Sequence, residues 1–261
     1  MIFAKKSLGQ NYLIDKNIIK KIIDTTQIKN RNVIEIGPGK GALTEEILKR
    51  KPKSLSLIEK DFNLFKILKI KFINNKSVKI YNDDILKFNL EKIDIKNSVI
   101  FGNLPYNISS QILVKVIKFN KWPPKFSDLI FMFQKELGEK IIGIFQSSSY
   151  GRLSILTNYR LNILKKFFVS PNCFFPKPKI TSMVIHFQPK KNTSINIKKI
   201  KNLEKITNIF FSNKRKMINK NLQKILSKEK IQSIKNLKIN LRPSDIKPDL
   251  YYKITELYET K

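Results

Sequence analysis

The sequence predicts an α/β protein: a doubly wound, mostly parallel sheet followed by a small helical domain. Short apolar runs rich in β-branched residues alternate with helical stretches over most of the 261 residues, as in successive βαβ units. A glycine-rich turn follows the first of these runs and opens a helix, as in nucleotide-binding sheets. From residue 190 onward the pattern is helical, with little strand signal.

The elements of the sheet domain can be assigned in chain order. A helix is predicted over about residues 16–24, because four isoleucines at helical spacing share one face. The glycine loop from Gly37 to Thr44 precedes a second helix that runs to about Arg50. The last two strands have no clear helix between them, which predicts an antiparallel hairpin at the sheet edge. The predicted strands are 32–36, 55–58, 78–81, 99–101, 129–133, 165–169 and 183–187.

The composition indicates a polyanionic partner. The chain carries 52 lysines and arginines against 20 acids, a formal net charge of +32. An A/T-rich genome would also inflate lysine, so both explanations of the charge stay open. Residues 190–261 carry 19 basic and six acidic side chains, a net +13 in 72 residues. We therefore predict a sheet domain over 1–189 and a helical domain over 190–261 that binds RNA phosphates, with a solvated helical bundle as the alternative.

Several classes of protein are disfavoured. No apolar run reaches the roughly 20 residues that span a bilayer, and the amino terminus lacks the apolar core of a signal peptide. We therefore expect a cytoplasmic protein without membrane contact. The single Cys173 excludes an intramolecular disulfide, and with the single His186 it gives no basis for a Cys/His zinc site, so we expect no metal.

The glycine loop predicts a cofactor that contains adenosine. Gly37-x-Gly39-x-x-Ala42 fits the dinucleotide fingerprint when alanine is allowed at its third place. Glu59 ends the second predicted strand, where an acid can bind ribose hydroxyls. Both NAD and S-adenosylmethionine contain that ribose, so these residues alone do not separate them. A further acid, Asp84 after the third strand, could accept from an adenine amino group and favours S-adenosylmethionine.

Gly102 is expected to break the fourth strand, which should stop at about that residue. The turn Asn103-Leu104-Pro105-Tyr106 then closes the strand, at the sheet edge where ligands bind in α/β proteins. An asparagine carbonyl and the backbone carbonyls beside a proline can accept both N–H bonds of an exocyclic amine. A tyrosine ring can stack on a nucleobase. Taken alone, the turn could equally be a proline turn with a capping asparagine and a core tyrosine.

Together these motifs resemble the bacterial small-subunit rRNA adenine N6-dimethyltransferases over nearly the whole chain. The matching segments, in the family's order, are 6–13, 33–44, 102–109, 134–136, 150–154, 174–182, 211–222 and 242–243. The resemblance implies a Rossmann-like S-adenosylmethionine-dependent methyltransferase domain followed by a small helical domain. It implies dimethylation of N6 of two adjacent adenosines near the 3′ end of small-subunit (16S) rRNA, within an assembling 30S subunit. We expect a monomer.

The resemblance also implies the site residues. Glu59 would hold the ribose of S-adenosylmethionine and Asp84 its adenine, while Tyr106 and Phe174 would sandwich the flipped target adenine. The residues it assigns to cofactor binding are Asn11, Leu13, Gly37, Gly39, Glu59, Asp84 and Asn103. The residues it assigns to catalysis are Asn103, Leu104, Pro105, Tyr106 and Phe174.

Three other functions stay open at this point. The nearest is a large-subunit rRNA adenine N6-methyltransferase of the antibiotic-resistance type, and the second is a non-catalytic assembly or transcription factor on the same fold. The third is an NAD-dependent oxidoreductase, which would give no reason for the Asn-Leu-Pro-Tyr turn. One departure from the family is the run Lys214-Arg215-Lys216, which keeps the charge of a more arginine-rich segment but loses its bidentate phosphate geometry.

Overall fold

The computed structural model describes residues 11–90, 93, 96–193 and 195–260. The first part of the 6–13 motif, residues 6–10, lies outside these residues. The described strands are β1 (Tyr12–Leu13), β2 (Asn32–Ile36), β3 (Ser54–Glu59), β4 (Val78–Asn82), β5 (Val99–Asn103), β6 (Asp128–Gln134), β7 (Leu161–Val169), β8 (Phe174–Phe175) and β9 (Ser182–Pro189). The described α-helices are α1 (Lys16–Ile23), α2 (Ala42–Lys49), α3 (Phe62–Lys71), α4 (Ser109–Ile117), α5 (Lys135–Ile142), α6 (Arg152–Arg160), α7 (Ile200–Phe211), α8 (Asn219–Gln223), α9 (Lys228–Gln232) and α10 (Pro248–Glu259).

Seven strands form one sheet in the order β4-β3-β2-β5-β6-β9-β7. The pairs β3–β4, β2–β3, β2–β5 and β5–β6 are parallel. The central strands β2 and β6 are buried along almost their whole length, which is why they read as continuous apolar runs rather than alternating ones. The predicted α/β class and mostly parallel sheet are confirmed.

The edge of the sheet is antiparallel where β9 pairs with β6, so that Leu129 lies opposite Phe187. Strand β7 lies beyond β9 at the edge. The connection between β7 and β9 contains β8, which pairs with β1 in a separate two-stranded antiparallel sheet. The two edge strands are therefore neighbours, but the chain between them is longer than a tight hairpin turn.

Helix α1 follows from its sequence. The Asp15 carboxylate accepts hydrogen bonds from the backbone N–H groups of Asn17 and Ile18, both at 2.9 Å, and so caps the first turn. Ile19 and Ile22 are buried against the sheet, as the isoleucine spacing predicts. The helix thereby fixes the chain that leads from β1 into the sheet domain.

His186 has a structural environment. It is buried in β9, and its Nε2 lies 2.8 Å from Oδ1 of Asp128, the first residue of β6. Asp128 also accepts a hydrogen bond from Arg31 at 2.7 Å. Burial alone would raise the pKa of Asp128, but the hydrogen bonds from His186 and Arg31 lower it to about 2. This cluster lies at the amino end of a central strand, whereas the ligand edge of a parallel sheet is at the carboxyl ends.

Contacts between Cα atoms divide the chain into two compact units. The first contains the described residues up to Val116 together with 123–138 and 163–189, and the second contains 117–122, 139–162 and the described residues from Lys190 onward. A division of the chain therefore falls at residue 189/190, but α6 belongs with the later helices. The Tyr252 hydroxyl donates to the Ile155 carbonyl at 3.1 Å, which ties α10 to α6. The functional division into 1–189 and 190–261 stays a prediction.

Of the helices in the described part of the chain, none combines the length and the apolar character that a membrane crossing requires.

Candidate active site

The glycine turn lies between β2 and α2, at the carboxyl end of the sheet. Gly37 and Gly39 have φ angles of +67° and +59°, a region that other residues enter only at a cost. The Gly37 N–H donates to the carbonyl of Ile58 on β3 at 3.0 Å, which holds the turn against the neighbouring strand. The turn thus keeps its backbone close to the strand ends, and Gly37 and Gly39 place no Cβ atom there.

The segment that contains β1 packs on this turn. A Cβ atom on Gly39 would lie only 3.1 Å from the ring of Tyr12, so glycine is what allows the ring to lie there. Burial, together with the carboxylates of Glu59 and Asp61, raises the pKa of Tyr12 to about 12. Tyr12 is therefore a neutral, packed ring that covers the glycine turn.

Glu59, the last residue of β3, is held in place by two backbone donors. Its carboxylate accepts from the Gly39 N–H at 3.1 Å and from the Asp61 N–H at 2.8 Å. Burial and the charge of Asp61 raise the pKa of Glu59, although these hydrogen bonds oppose the shift. The carboxylate is thus fixed beside the glycine turn with lone pairs left for a further donor.

Asp84 follows β4 and is also fixed. Its Oδ1 accepts from the backbone N–H of Leu86 at 2.9 Å, and its Oδ2 accepts from the Lys60 ammonium at 2.8 Å. The hydrogen bond from Lys60 is the main cause of a lowered pKa at Asp84, so this carboxylate is ionised at neutral pH. A second acidic acceptor therefore lies one strand away from Glu59, as the sheet order predicts.

Strand β5 runs through Gly102 and ends at Asn103, whereas the prediction has it cover 99–101 and stop at about Gly102. A Cβ atom on Gly102 would lie 2.4 Å from the side chain of Leu104, which is 1% exposed. Glycine therefore lets Leu104 fold back into the core, and this anchors the turn that follows. The strand continues because Gly102 keeps its place in the ladder, opposite Ile36 on β2 and Phe131 on β6.

The amide of Asn103 is oriented by the β1 segment. Its Nδ2 donates to the backbone carbonyl of Asn11 at 3.1 Å, which turns Oδ1 into an oriented acceptor. The carbonyls of Pro105 and Tyr106 already accept from Ile108 N–H and the Ser109 hydroxyl, both at 3.1 Å. Among the described residues, no donor reaches the carbonyl of Leu104. Two acceptors at this turn, one side-chain and one backbone, thus stay available to an amine.

Tyr106 is held by a residue from the other end of the sheet domain. Its hydroxyl and that of Ser182 lie 2.7 Å apart, and Ser182 is fully buried at the start of β9. Burial raises the pKa of Tyr106, and the hydrogen bond to Ser182 only partly offsets this. The half-buried ring is therefore neutral and its hydroxyl is anchored.

A cavity of about 760 Å³ brings these residues together, a size typical of small-molecule sites. Ten of the eleven predicted site residues line it, namely Asn11, Leu13, Gly37, Gly39, Glu59, Asp84, Asn103, Leu104, Pro105 and Tyr106. The backbone exposed at Gly37 and Gly39, the two acceptors Glu59 and Asp84, and this volume fit an adenosyl cofactor.

Phe174 is not among the residues that line the cavity. It is 2% exposed and packs in the hydrophobic core, with Leu13 opposite it across the pairing of β8 with β1. In this arrangement its ring offers no face to a base, whereas Phe175 is 65% exposed. The stacking role inferred for Phe174 from the resemblance stays a prediction, and it would require movement of this segment.

The sequence predicts no site role for three residues that shape the site: Tyr12 over the glycine turn, Lys60 on Asp84, and Ser182 on Tyr106, although Tyr12 and Ser182 lie within the family motifs. The place of Lys60 near the site could have been predicted, because it directly follows Glu59 in the sequence. Ser182 had no such signal beyond its place in the 174–182 motif, since its partner is 76 residues away.

Comparison with known proteins decides the family. The family model described as "Ribosomal RNA adenine dimethylase" matches residues 2–260. The chain belongs to the ribosomal RNA adenine dimethylase family. It is therefore an S-adenosylmethionine-dependent methyltransferase, and the alternative of an NAD-dependent oxidoreductase is not supported.

Curated relatives of this dimethylase have similar lengths. The chain is 48% identical to "Ribosomal RNA small subunit methyltransferase A" of Pelagibacter ubique over 260 residues, covering 98% of this chain and 97% of that protein. It is 38% identical to the protein of the same name from Malacoplasma penetrans, covering 97% and 91%. These names favour the small-subunit group over the large-subunit group.

Solved structures agree on the fold. A dimethyladenosine transferase from Plasmodium falciparum matches with a TM-score of 0.74 and 24% identity, covering 93% of this chain and 95% of that one. The 23S rRNA methyltransferase ErmE matches with a TM-score of 0.69 and 20% identity, covering 96% and 100%. At these identities the likeness shows the fold of the dimethylase and nothing about its substrate.

A second concave surface of the dimethylase lies within the second unit. This groove, of about 670 Å³, is built from three of the family motifs that are far apart in sequence. It brings together Arg152 from the start of α6, Lys214 and Arg215 after α7, and Arg242 near the short turn before α10. We call these four residues with their surroundings the basic groove. Its acidic lining residue, Asp245, accepts from the Arg242 backbone N–H at 3.3 Å.

Proposed function

We propose that this protein transfers two methyl groups to N6 of each of two adjacent adenosines near the 3′ end of small-subunit rRNA, in an assembling small subunit. The observation that carries the proposal is the shared cavity, which combines an adenosyl-type cradle with oriented acceptors for an amine. The family membership and the small-subunit relatives support the choice of substrate.

The cofactor end of the cavity is formed by the glycine turn and the strand-end acids. Glu59 is placed to accept from ribose hydroxyls, since backbone donors already hold its carboxylate. Asp84 is placed to accept from the adenine amino group, next to Lys60. Asn11 and Leu13 close the cavity from the β1 segment. S-adenosylmethionine, when bound there, supplies an activated methyl group on a sulfonium.

The turn after β5 positions the target amine. Oδ1 of Asn103 and the carbonyl of Leu104 each accept one N–H of the adenine amino group, which draws its lone pair out of conjugation with the ring. Pro105 fixes the backbone of the turn. This is catalysis by positioning and by exclusion of water, and orientation of this kind contributes several kcal/mol in enzymes in general.

The target base must leave its stack, which costs about a few kcal/mol. Tyr106 offers the compensating surface, because its anchored ring can stack on the extruded adenine. The Phe174 ring would take the other face if its segment moves. A second methylation requires that the same pocket accept N6-methyladenosine.

No side chain of the cavity acts as a general base in this proposal. Glu35 is the nearest candidate, because burial raises its pKa to about 8. Its carboxylate lies within β2 and accepts from the Thr44 hydroxyl of α2 at 2.6 Å, which is a structural contact. The proton released by the methylated amine therefore passes to solvent or to a nearby carbonyl.

The basic groove of the second unit contacts the rRNA backbone. Arginine is suited to bidentate phosphate contacts, and three of the five cationic residues that line the basic groove are arginines. Most of this surface belongs to residues 190–261, for which RNA binding is predicted, and Arg152 of α6 is an addition to that region. The protein acts in this proposal as a monomer in the cytoplasm, where small-subunit rRNA is assembled.

The test is methyl transfer from labelled S-adenosylmethionine to ribosomal particles from cells that lack this gene. We expect label in small subunits and not in large subunits, with N6,N6-dimethyladenosine after nucleoside digestion. Label confined to large subunits would support the antibiotic-resistance type instead. Binding of particles without any transfer would support a non-catalytic assembly factor.

A further inference from the structure

The chain between β8 and β9 has no role in the function proposed so far, and each of its ends contacts a residue that lines the cavity. At one end Phe175 lies opposite Tyr12 in the pairing of β8 with β1, and Tyr12 lines the cavity. At the other end Ser182 contacts the hydroxyl of Tyr106, which also lines the cavity. None of residues 175–180 lines the cavity itself, but this stretch joins two contacts with residues that do, and we call it the rim segment.

The rim segment presents an aromatic ring and two cations to solvent. Phe175 is 65% exposed, although Phe174 beside it is 2% exposed. Lys177 and Lys179 are both exposed, and neither is paired with a carboxylate in the part of the chain that the structure describes. Phe175 therefore contributes little to the core, and both ammonium groups are available to an anion.

This combination suits unpaired nucleic acid. Aromatic side chains provide stacking platforms for bases of any sequence, and cations beside them follow the phosphate backbone. Extrusion of a nucleotide removes one stacking partner from its neighbours in the strand. A platform beside the cavity can replace that partner for a neighbouring base.

We propose that the rim segment binds the RNA next to the target adenosine, with Phe175 stacked on a neighbouring base and Lys177 and Lys179 on phosphates. The proposal rests on the rRNA substrate proposed above. The same exposed ring could contact a ribosomal protein, but two lysines within four residues favour the polyanion.

The experiment measures equilibrium binding of the full chain to small subunits from cells lacking the gene and to the same rRNA stripped of protein. The variants are Phe175→Ala, Phe175→Trp, and Lys177→Met with Lys179→Met. The matched control is Phe62→Ala, because Phe62 is also exposed, at 54%, with Lys66 Nζ at 4.5 Å from its ring centroid, but it lies on α3 and not in the rim segment.

We expect Phe175→Ala to weaken binding about 5- to 100-fold on both substrates, the range of one lost base stack. The dependence of binding on salt should not change, because no charge is removed, and Phe175→Trp should bind like the wild type. The double lysine variant should weaken binding and reduce the salt slope by about two, one for each phosphate contact. Cofactor affinity and Phe62→Ala should be unaffected.

Wild-type affinity of Phe175→Ala would overturn the proposal, and so would an equal loss in Phe62→Ala. A loss confined to intact subunits would mean that the ring contacts a ribosomal protein. These outcomes differ from a failure of the function itself, in which the wild-type chain would place no methyl groups on small-subunit adenosines.

Discussion

Replacing Asn103 with alanine should lower the rate of methyl transfer by about 10²–10³, equivalent to about 2.7–4 kcal/mol, as for removal of one preorganised polar group. The structure supports this size because Oδ1 is held by the hydrogen bond from Nδ2 to the Asn11 carbonyl at 3.1 Å. The loss should not be larger, since the Leu104 carbonyl remains as the second acceptor. Cofactor binding should stay within a few-fold, because Glu59 and Asp84 are untouched.

The assay is a single-turnover transfer of labelled methyl to small subunits from cells lacking the gene, with calorimetric binding of S-adenosylhomocysteine alongside. The matched control is Asn107→Ala, since Asn107 lies on the same turn, lines the same cavity and is exposed. We expect the control to react like the wild type. Wild-type turnover by Asn103→Ala would remove this amide from the mechanism, and equal losses in both variants would point to a disturbed turn.

Three further predictions follow from the same geometry. Gly39→Ala should weaken cofactor binding about tenfold in calorimetry. A residue with a Cβ atom loses about 1–2 kcal/mol in the left-handed backbone conformation of Gly39, and the new methyl group would displace the Tyr12 ring. The wild-type protein should lose stability as the pH rises, and Glu35→Gln should abolish this loss. The folded state raises the pKa of this carboxyl from 4.5 to about 8, so it retains a proton that the unfolded chain releases, and stability falls as pH rises through that window. Reversal of residues 214–216 to glutamates should weaken binding to small subunits and lower its salt dependence, with an unchanged cofactor affinity.

Each of these three predictions has a result that would contradict it. Unchanged affinity in Gly39→Ala would mean that the glycine turn does not touch the cofactor. For Glu35, the check is the free energy of unfolding, measured in urea at about pH 5 and pH 8. An equal change of that free energy between the two pH values in wild type and variant would show that the pKa of this carboxyl does not change on folding. An unaltered salt slope after reversal of 214–216 would place the RNA contact elsewhere.

Much of the sheet domain could be predicted because its strands are short, continuous apolar runs bounded by turn residues. The order of the parallel strands then brings Glu59, Asp84 and Asn103 to one edge, where all three line the same cavity. Gly102 was the exception. Its lack of a side chain reads as a strand break, but in the structure it makes room for Leu104 while the ladder continues.

What the sequence could not predict depends on contacts between distant residues. Strands β1 and β8 have two residues each, too few for a pattern, and their pairing places Phe174 in the core and Phe175 in solvent. The contact between Tyr106 and Ser182 likewise joins two motifs that are separate in the chain. The convergence of Arg152 with Arg215 in the basic groove required the packing of α6 with the later helices.

The proposed mechanism is tested by mass spectrometry of the small-subunit rRNA from cells without this gene, complemented with the wild-type or the Asn103→Ala chain. We expect N6,N6-dimethyladenosine to disappear on deletion, to return with the wild-type chain and to stay absent with the variant. Persistence of the modification after deletion, or its full return with Asn103→Ala, would contradict the proposal.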